Sequence, residues 1–201
     1  MYQYRPQPKT SFAYLARPPQ RFFFNEFITP LNLSVFEITR EIAGDSLEAV
    51  GPRCYESLRG MEYVTDLEQF KVDDFFEMPF EMLKNRKGDC EDFANLLTSL
   101  LTGCGLSATT VYGAVILEDR TYAHAWTEIG SVFIEATDPE YRALAARPDF
   151  YRPEMAIAWG YSYPVGYAIS WVDSNPNDKR KFPKLTPEEL RKLHEKLREG
   201  G

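Results

Sequence analysis

Residues 88–103 read GDCEDFANLLTSLLTG and combine a helix-start signal, a cysteine and an apolar helical face. Asp89 stands at the N-cap position and Gly103 follows the last apolar turn, so the pattern predicts a helix over 90–102. The apolar face is wide and consists of Phe93, Leu96, Leu97, Leu100 and Leu101. A face of this width predicts a central, buried helix.

Cys90 would lie in the first turn of this helix, where unpaired backbone N–H groups and the positive dipole end stabilise a thiolate or a developing oxyanion. A free cysteine is more commonly a small buried hydrophobic residue, and that alternative stays open here. The neighbours Asp89, Glu91 and Asp92 argue against an apolar interior, although their charge raises the pKa of the thiol. A nucleophilic Cys90 therefore needs a base elsewhere in the chain.

After this helix the hydrophobic pattern changes from a period of 3.6 to a period of 2. Three segments rich in β-branched and aromatic residues follow: Thr109–Leu117, Thr121–Ile129 and Val132–Ala136. They predict an antiparallel three-stranded meander. We therefore assign the α+β fold class, with the nucleophile helix packed on an antiparallel sheet.

His124 is the candidate base. Alternation along the second predicted strand places it on the face shared by Tyr122 and Trp126. A histidine that accepts a thiol proton needs a carboxylate to hold its other ring N–H. A lone strand histidine is more often structural, so the assignment depends on a carboxylate nearby.

Two carboxylates compete for this role, and the length of the hairpin loop separates them. A two-residue loop at Gly130-Ser131 sets Glu135 diagonal to His124 on the same face. A three-residue loop puts Asp138 directly opposite His124. The length of the loop thus decides which carboxylate can hold the His124 ring.

Composition argues against several classes of partner. The 201 residues include 23 Lys plus Arg against 30 Asp plus Glu, which gives a net charge of −7. This acidic balance lacks the basic stripe that phosphate binding needs, so we expect no nucleic-acid partner. No apolar run approaches the roughly 20 residues of a membrane span, and the first residues lack the apolar core of a secretory signal. We expect a cytoplasmic protein with no membrane partner.

Cysteine and histidine usage argues against a metal centre. Cys54, Cys90 and Cys104 cannot all pair, so at least one thiol is free, and pairing of Cys54 with Cys104 depends on distance. No Cys or His pair has zinc-ligand spacing, and we expect no metal and no cofactor. His194 is interpreted as a solvated residue of the last helix.

The rest of the chain reads as extensions of one domain over residues 1–201. A proline- and aromatic-rich arm is expected over 1–30, and a terminal helix over 184–199, with Thr186 as its cap. The basic cluster Lys179-Arg180-Lys181 is expected to be a solvated linker before that helix.

Three further elements are expected between the arm and the last helix. Ser34-x-x-Glu37 predicts a capping box that opens a short helix ended by Gly44. A second helix near 46–59 is expected to be interrupted by Gly51-Pro52. Residues 150–172 predict one or two strands whose aromatic side chains could line a substrate groove, although packing in the core is favoured.

Several motifs occur in a fixed order along residues 60–140. They are Tyr63-x-x-Asp66, Asp74-x-Phe76-x-x-Pro79-x-Glu81-x-Leu83, Gly88-Asp89-Cys90-Glu91-Asp92-x-Ala94, His124-Ala125-Trp126-x-Glu128 and Ile134-Glu135-Ala136-Thr137. Together they resemble the transglutaminase-like superfamily, in particular its bacterial transglutaminase-like cysteine peptidases, whose papain-like fold carries a cysteine, histidine and acid triad.

The resemblance implies that Cys90 is the nucleophile, His124 the base and Glu135 the acid. The family usually has aspartate at the third position, but glutamate can accept the same imidazole N–H bond. With the two-residue loop, we predict Glu135 as the acid and keep Asp138 as the alternative. Tyr63, which carries an O–H donor, is a weak candidate for the auxiliary oxyanion donor, against a packed core tyrosine.

The implied function is thiol-dependent acyl transfer on a carboxamide or peptide bond, with a peptide or protein as substrate. Water as acceptor gives a cysteine peptidase or amidase, and this is the default because water is abundant. An amine as acceptor gives a protein-glutamine transglutaminase. A catalytically inactive binding or assembly module of the same fold is the rival from another class.

Overall fold

The computed structural model of the chain describes residues 27–42, 44, 46–71, 75–164 and 182–200. Four features of the sequence lie outside these residues: the arm before residue 27, Asp74, the segment 165–172 and the cluster Lys179-Arg180-Lys181.

The described residues form six helices and two sheets. The helices are α1 (Leu33–Thr39), α2 (Leu47–Glu56), α3 (Asp66–Gln69), α4 (Pro79–Asn85), α5 (Cys90–Gly103) and α6 (Pro187–Glu199). The strands are β1 (Glu62–Tyr63), β2 (Lys87–Gly88), β3 (Ala108–Leu117), β4 (Arg120–Ile129), β5 (Val132–Ile134), β6 (Ala143–Leu144), β7 (Tyr151–Ala158) and β8 (Tyr161–Pro164). The predicted α+β class is confirmed.

The main sheet is antiparallel and has the strand order β6-β5-β4-β3-β7-β8, while β1 and β2 form a short parallel pair. The predicted meander is confirmed as β3-β4-β5, and Ile129 pairs with Val132 across a two-residue loop. Because β5 pairs only with residues 127–129, the first part of β4 has no β5 partner along that edge.

The two faces of β4 look toward different layers. Thr127 faces α5, since its hydroxyl donates to the Ala94 carbonyl. His124 and Trp126 lie on the other face, where Trp126 shares a core with the leucines of α6. The sheet is thus covered by α5 on one face and by α6 on the other, as its apolar residues on both faces require.

Helix α5 has the burial that its sequence predicts. All of its residues from Cys90 to Leu101 are buried, and it packs on β3 and β4. No helix in the described part of the chain combines the length and apolar character needed to cross a bilayer.

Several predicted helix boundaries differ from the structure. Asn32, not Ser34, caps α1, because the Asn32 side chain accepts the Ser34 N–H at 3.0 Å, and the helix ends at Thr39 rather than near Gly44. The last helix begins at Pro187, since Thr186 is its N-cap, so residues 184–186 precede it.

Gly51-Pro52 does not interrupt α2, contrary to expectation. A Cβ at Gly51 would lie 2.3 Å from the Tyr141 hydroxyl oxygen. The glycine thus permits a close helix contact rather than marking a break.

Candidate active site

The N-terminus of α5 is fixed by carboxylates on both sides of Cys90. The Asp92 carboxylate accepts the Asp89 N–H at 3.2 Å and the Glu77 N–H at 2.8 Å. A Cβ at position 88 would lie 2.7 Å from an Asp92 carboxylate oxygen, so Gly88 allows this approach. Cys90 is consequently held in the first turn, where the backbone N–H groups of the helix start are located.

The Cys90 thiol is buried and hydrogen-bonded to the adjacent residue, Glu91. Its Sγ donates to Glu91 Oε2 at 3.2 Å, and the residue is 2% exposed. Burial raises the pKa of the Cys90 thiol well above its usual value, and the Glu91 and Asp89 carboxylates raise it further. Cys90 is therefore a neutral thiol in this arrangement.

In the part of the chain that the structure describes, one lysine lies among the carboxylates that flank Cys90. The Lys184 ammonium is 2.5 Å from Asp66 Oδ2 and 2.6 Å from Asp89 Oδ2, and it also contacts Glu91 Oε1. Burial would raise the pKa of Glu91, but the ammonium and the Asp89 hydrogen bond lower it to about 2. Lys184 is thus the counter-ion of this cluster.

His124 is paired directly with Glu135. His124 Nε2 lies 2.8 Å from Glu135 Oε2, and both side chains are buried. The other ring nitrogen, Nδ1, is buried without a hydrogen-bond partner among the described residues. If Nε2 carries the proton toward the carboxylate, the Nδ1 lone pair can accept a proton.

Glu135 accepts several further hydrogen bonds. The Tyr151 hydroxyl donates to Oε2 at 2.7 Å, and the Thr137 hydroxyl and N–H donate to Oε1 at 2.7 and 3.1 Å. Burial alone would raise the pKa of Glu135, but His124 and the hydrogen bonds lower it to about 2. The carboxylate is therefore ionised at neutral pH and fixes the imidazole.

His194 is not solvated, and that prediction is wrong. Its side chain is buried, and Nε2 lies 3.2 Å from the Thr137 hydroxyl that also bonds Glu135. Burial lowers the pKa of His194 below its usual value. Its position follows from α6 packing on the sheet face that carries His124.

The Asp138 carboxylate contacts the turn that follows β5 and does not pair with His124. Its carboxylate accepts the Glu140 N–H at 3.0 Å, as expected for a residue that starts the turn after a strand. Arg142 and Arg198 lie 3.7 and 3.6 Å from its oxygens. The structure pairs His124 with Glu135 instead, as the two-residue loop requires; their catalytic roles stay predictions.

The two halves of the site approach each other near β7. Tyr151, which bonds Glu135, also lies within electrostatic range of the Cys90 thiol. Helix α5 packs on one face of β4 and His124 lies on the other, and the edge of β4 before residue 127 has no β5 partner. Residues 182–185, called the strap below, lie along that edge: the Pro183 carbonyl accepts the Ala123 N–H at 3.0 Å.

Tyr63 also contacts the strap. Its hydroxyl donates to the Leu185 carbonyl at 3.1 Å, and burial raises the pKa of this phenol well above its usual value. Tyr63 lies within electrostatic range of Cys90. In this arrangement, however, the Tyr63 hydroxyl proton is donated to the strap. A role as oxyanion donor stays a prediction.

The remaining cysteines lie at the far end of α5. Cys54 and Cys104 are free thiols with sulfurs 3.7 Å apart, so they are in contact without a bond. Burial raises the pKa of the Cys54 thiol, and that of Cys104 is also raised. Neither thiol shares the surroundings of Cys90.

Some carboxylates near Cys90 have the spacing of a cation site. Ligand atoms of Asp66, Asp89 and Asp92 lie within 4.8 Å of one another. Oxygen ligands of this kind suit a hard cation. In this structure, however, the Lys184 ammonium contacts two of the three.

Comparison with known proteins identifies the family. The model of the transglutaminase-like superfamily matches residues 37–142, which is more than half of the chain. The chain belongs to the transglutaminase-like superfamily. The match spans Cys90, His124 and Glu135, and the resemblance that their motifs predicted is confirmed.

The solved structures that match this chain include bacterial proteins of low identity. Calcium-bound LapG of Legionella pneumophila is 16% identical, with a TM-score of 0.44, over 82% of this chain and 97% of that chain. EGTA-treated LapG is 18% identical, with a TM-score of 0.43, over 66% and 84% of the two chains. A cysteine-protease candidate from Cytophaga hutchinsonii is 17% identical, with a TM-score of 0.36, over 79% and 54%. A search of curated proteins finds no match.

Three side chains of the site were not identified from the sequence. Tyr151 lies in a segment whose aromatic residues are expected in the core, Lys184 follows a basic cluster, and Thr137 is the last residue of a motif whose acid is Glu135. One signal was available for Lys184: Asp89, Glu91 and Asp92 surround a buried cysteine, and buried carboxylates require a cation.

Proposed function

We propose that this chain is a thiol-dependent acyl-transfer enzyme that hydrolyses a carboxamide or peptide bond. The observation that supports this most directly is the His124 imidazole, whose Nε2 is held by Glu135 while Nδ1 is buried and unpartnered among the described residues. A buried ring nitrogen without a partner costs free energy, so a structural histidine would be expected to use both nitrogens. If Nδ1 accepts the Cys90 proton during catalysis, its lack of a partner among the described residues is explained.

The reaction begins when the hydrogen bond from the Cys90 thiol to Glu91 breaks. The thiol proton passes to His124 Nδ1, and the sulfur attacks the carbonyl carbon while the carbonyl electrons move to oxygen, near the Cys90 N–H. The carbonyl re-forms, the C–N bond breaks, and the amine leaves with the proton from Nδ1. Glu135 stabilises the imidazolium during this step.

The second half releases the acyl group. Water attacks the thioester carbon and gives a proton to Nδ1. The C–S bond breaks, the thiolate takes that proton, and the carboxylic acid leaves. A primary amine in place of water would give transamidation, and hydrolysis is preferred because water is abundant.

The burial of Cys90 favours a second candidate, a binding module without activity. At 2% exposure, and with its proton donated to Glu91, the thiol is not presented to a substrate. An active enzyme must therefore expose the Cys90 thiol to the substrate on binding. A net charge of −7 favours a polypeptide over a nucleic acid as the substrate.

A labelled protein substrate such as casein, with and without a fluorescent primary amine, tests these candidates. We expect peptide release by the wild type and by Cys104→Ala, a matched thiol control, and none by Cys90→Ala. Cys90→Ala removes only a sulfur atom, so its unfolding free energy should change by about 1 kcal/mol or less.

Each other outcome has its own meaning. Amine incorporation that depends on Cys90 would assign transamidation. A loss of several kcal/mol in Cys90→Ala would assign the thiol to the core. Absence of both reactions, with iodoacetamide alkylating Cys90 no faster than Cys54, would assign the binding module.

A further inference from the structure

We propose that Lys184 is a positioning residue for Cys90, acting as a counter-cation that the strap carries to the nucleophile. The inference rests on the function proposed above, since positioning has meaning only if Cys90 reacts. It assigns a catalytic contribution to a segment that lies outside the stretch matched by the family model, residues 37–142.

Glu91 connects Lys184 to the thiol. One oxygen of Glu91 contacts the Lys184 ammonium and the other accepts the Cys90 S–H. The same ammonium contacts Asp89, the N-cap of α5, at 2.6 Å. Lys184 therefore fixes the residue before the nucleophile and the residue after it.

Within the described ranges, Lys184 is the cation that contacts these carboxylates. Asp66, Asp89 and Glu91 are buried, and Lys184 is largely buried with them. Burial and the Glu91 charge raise the pKa of Asp66 to about 7, which shows how little further negative charge the cluster tolerates. Without the ammonium, these carboxylates would have to take up protons or separate, and Glu91 would change its contact with Cys90.

The strap is held as part of the fold. The Ala123 N–H donates to the Pro183 carbonyl, and the Tyr63 hydroxyl donates to the Leu185 carbonyl. Leu185 is fully buried, and Thr186 caps α6 directly afterwards. Lys184 is therefore presented from a fixed backbone, next to the strand residue that precedes His124, which favours positioning over a displaceable plug.

Two variants of Lys184 test the role of its charge, and a third variant, at Lys192, is the matched control. Lys184→Met removes the ammonium and keeps most of the stem, Lys184→Arg keeps the charge, and Lys192→Met removes an exposed lysine of α6 that lies 3.8 Å from Glu118. We expect Lys184→Met to lower kcat by about 10- to 100-fold with KM nearly unchanged, because the interaction serves the reacting group. Lys184→Arg should keep most of the activity, and Lys192→Met all of it.

A second measurement does not depend on activity. The rate of Cys90 alkylation by iodoacetamide, resolved by mass spectrometry, is followed against pH. Among the described residues, the ionisable groups around the thiol include Glu91, Asp89, Tyr63, Tyr112, Tyr151 and Lys184, and His124 is the proposed acceptor of its proton. Lys184 is the cation among them, so its loss should shift the alkylation profile to higher pH, whereas Lys192→Met should leave it in place.

Chemical rescue separates charge from packing. In Lys184→Ala, n-propylammonium replaces the atoms removed, and neutral n-propanol has a similar size without the charge. Recovery of activity with propylammonium alone supports the proposal. Equal recovery with both compounds, or higher activity in Lys184→Met than in the wild type, would overturn it, the latter in favour of a strap that blocks the site.

Two outcomes need separate treatment. If Lys184→Met does not fold, Asp66→Asn/Lys184→Met removes one negative charge with the positive one; we expect folding to return and activity to stay low, and full activity in this variant would overturn the proposal. If the wild type has no acyl-transfer activity, the proposed function fails. The alkylation profile of Cys90 still decides whether Lys184 sets the state of the thiol.

Discussion

The base side and the nucleophile side of this site handle negative charge in opposite ways. On the base side, the single carboxylate Glu135 accepts hydrogen bonds from His124, Tyr151 and Thr137. On the nucleophile side, several carboxylates share one cation, Lys184. The pKa of Glu135 is lowered to about 2, whereas that of Asp66 is raised to about 7.

The difference shows which half of the site keeps a fixed geometry and protonation state. A buried carboxylate with many donors keeps its charge and its geometry over the whole physiological pH range. A cluster in which burial raises the pKa of Asp89 and of Asp92 well above their usual values must exchange protons when its cation or its pH changes. The imidazole is pre-organised, while the thiol responds to its surroundings.

Replacing the carboxylate breaks the base side most directly. In Glu135→Gln the imidazole loses its acceptor and the stabilisation of its cationic form, so we expect kcat/KM to fall by about 10²- to 10⁴-fold. The fold should be kept, because glutamine has nearly the same shape. Steady-state hydrolysis and circular dichroism measure the two effects.

Asp138→Asn is the matched control for this prediction. Its carboxylate bonds the Glu140 N–H, which an amide oxygen can also accept, so activity should change by less than about threefold. If Asp138→Asn were the crippling change and Glu135→Gln the mild one, the assignment of the acid would be reversed.

Stability against pH should distinguish Glu135 from Asp66 by the sign of the slope. Glu135 has a lowered pKa in the folded state, so its stabilisation is complete above its usual pKa of 4.5 and is lost as pH falls toward 2, by about 3 kcal/mol. Asp66 has a raised pKa, so it opposes folding increasingly as pH rises from about 4 to 7. Urea unfolding against pH measures both slopes.

Two single variants assign these slopes. Glu135→Gln should flatten the loss of stability below pH 4.5 and leave the neutral range unchanged. Asp66→Asn should flatten the decline between pH 4 and 7 and leave the acid range unchanged. A decline in acid that persists fully in Glu135→Gln would contradict the ionised, donor-rich description of that carboxylate.

The smallest expected effect concerns the outer part of the base side. Thr137→Val removes a hydroxyl that donates to Glu135 at 2.7 Å and contacts His194, so one of several donors is lost. We expect kcat to fall by about 3- to 10-fold, the scale of one hydrogen bond to a charged group. Thr109→Val, whose hydroxyl contacts the Glu128 carbonyl on the same sheet, should have no effect on kcat.

Local patterns predicted a large part of this site. The cap at Asp89, the apolar period of α5 and the alternation along β4 placed Cys90 and His124 on their elements. The two-residue loop at Gly130-Ser131 then fixed the register that brings Glu135 to His124. These features depend on residues close in sequence or joined by a short hairpin, where propensity and period act directly.

Patterns predicted less where a helix or strand depends on distant contacts. Glycine and proline in α2 indicated a break, but the contact of Gly51 with Tyr141 explains the glycine within a continuous helix. The polar neighbours of His194 indicated a solvated residue, although packing of α6 on the sheet buries it.

The sequence by itself determined the fold class and the family and favoured Glu135 over Asp138 as the partner of His124, because these follow from short-range periodicity, turn chemistry or an ordered set of motifs. Only the tertiary structure decided that Lys184 and His194 approach Cys90 and Glu135. These contacts join residues 57 to 95 positions apart. No local pattern encodes them, because they depend on how the strap and α6 pack against the sheet.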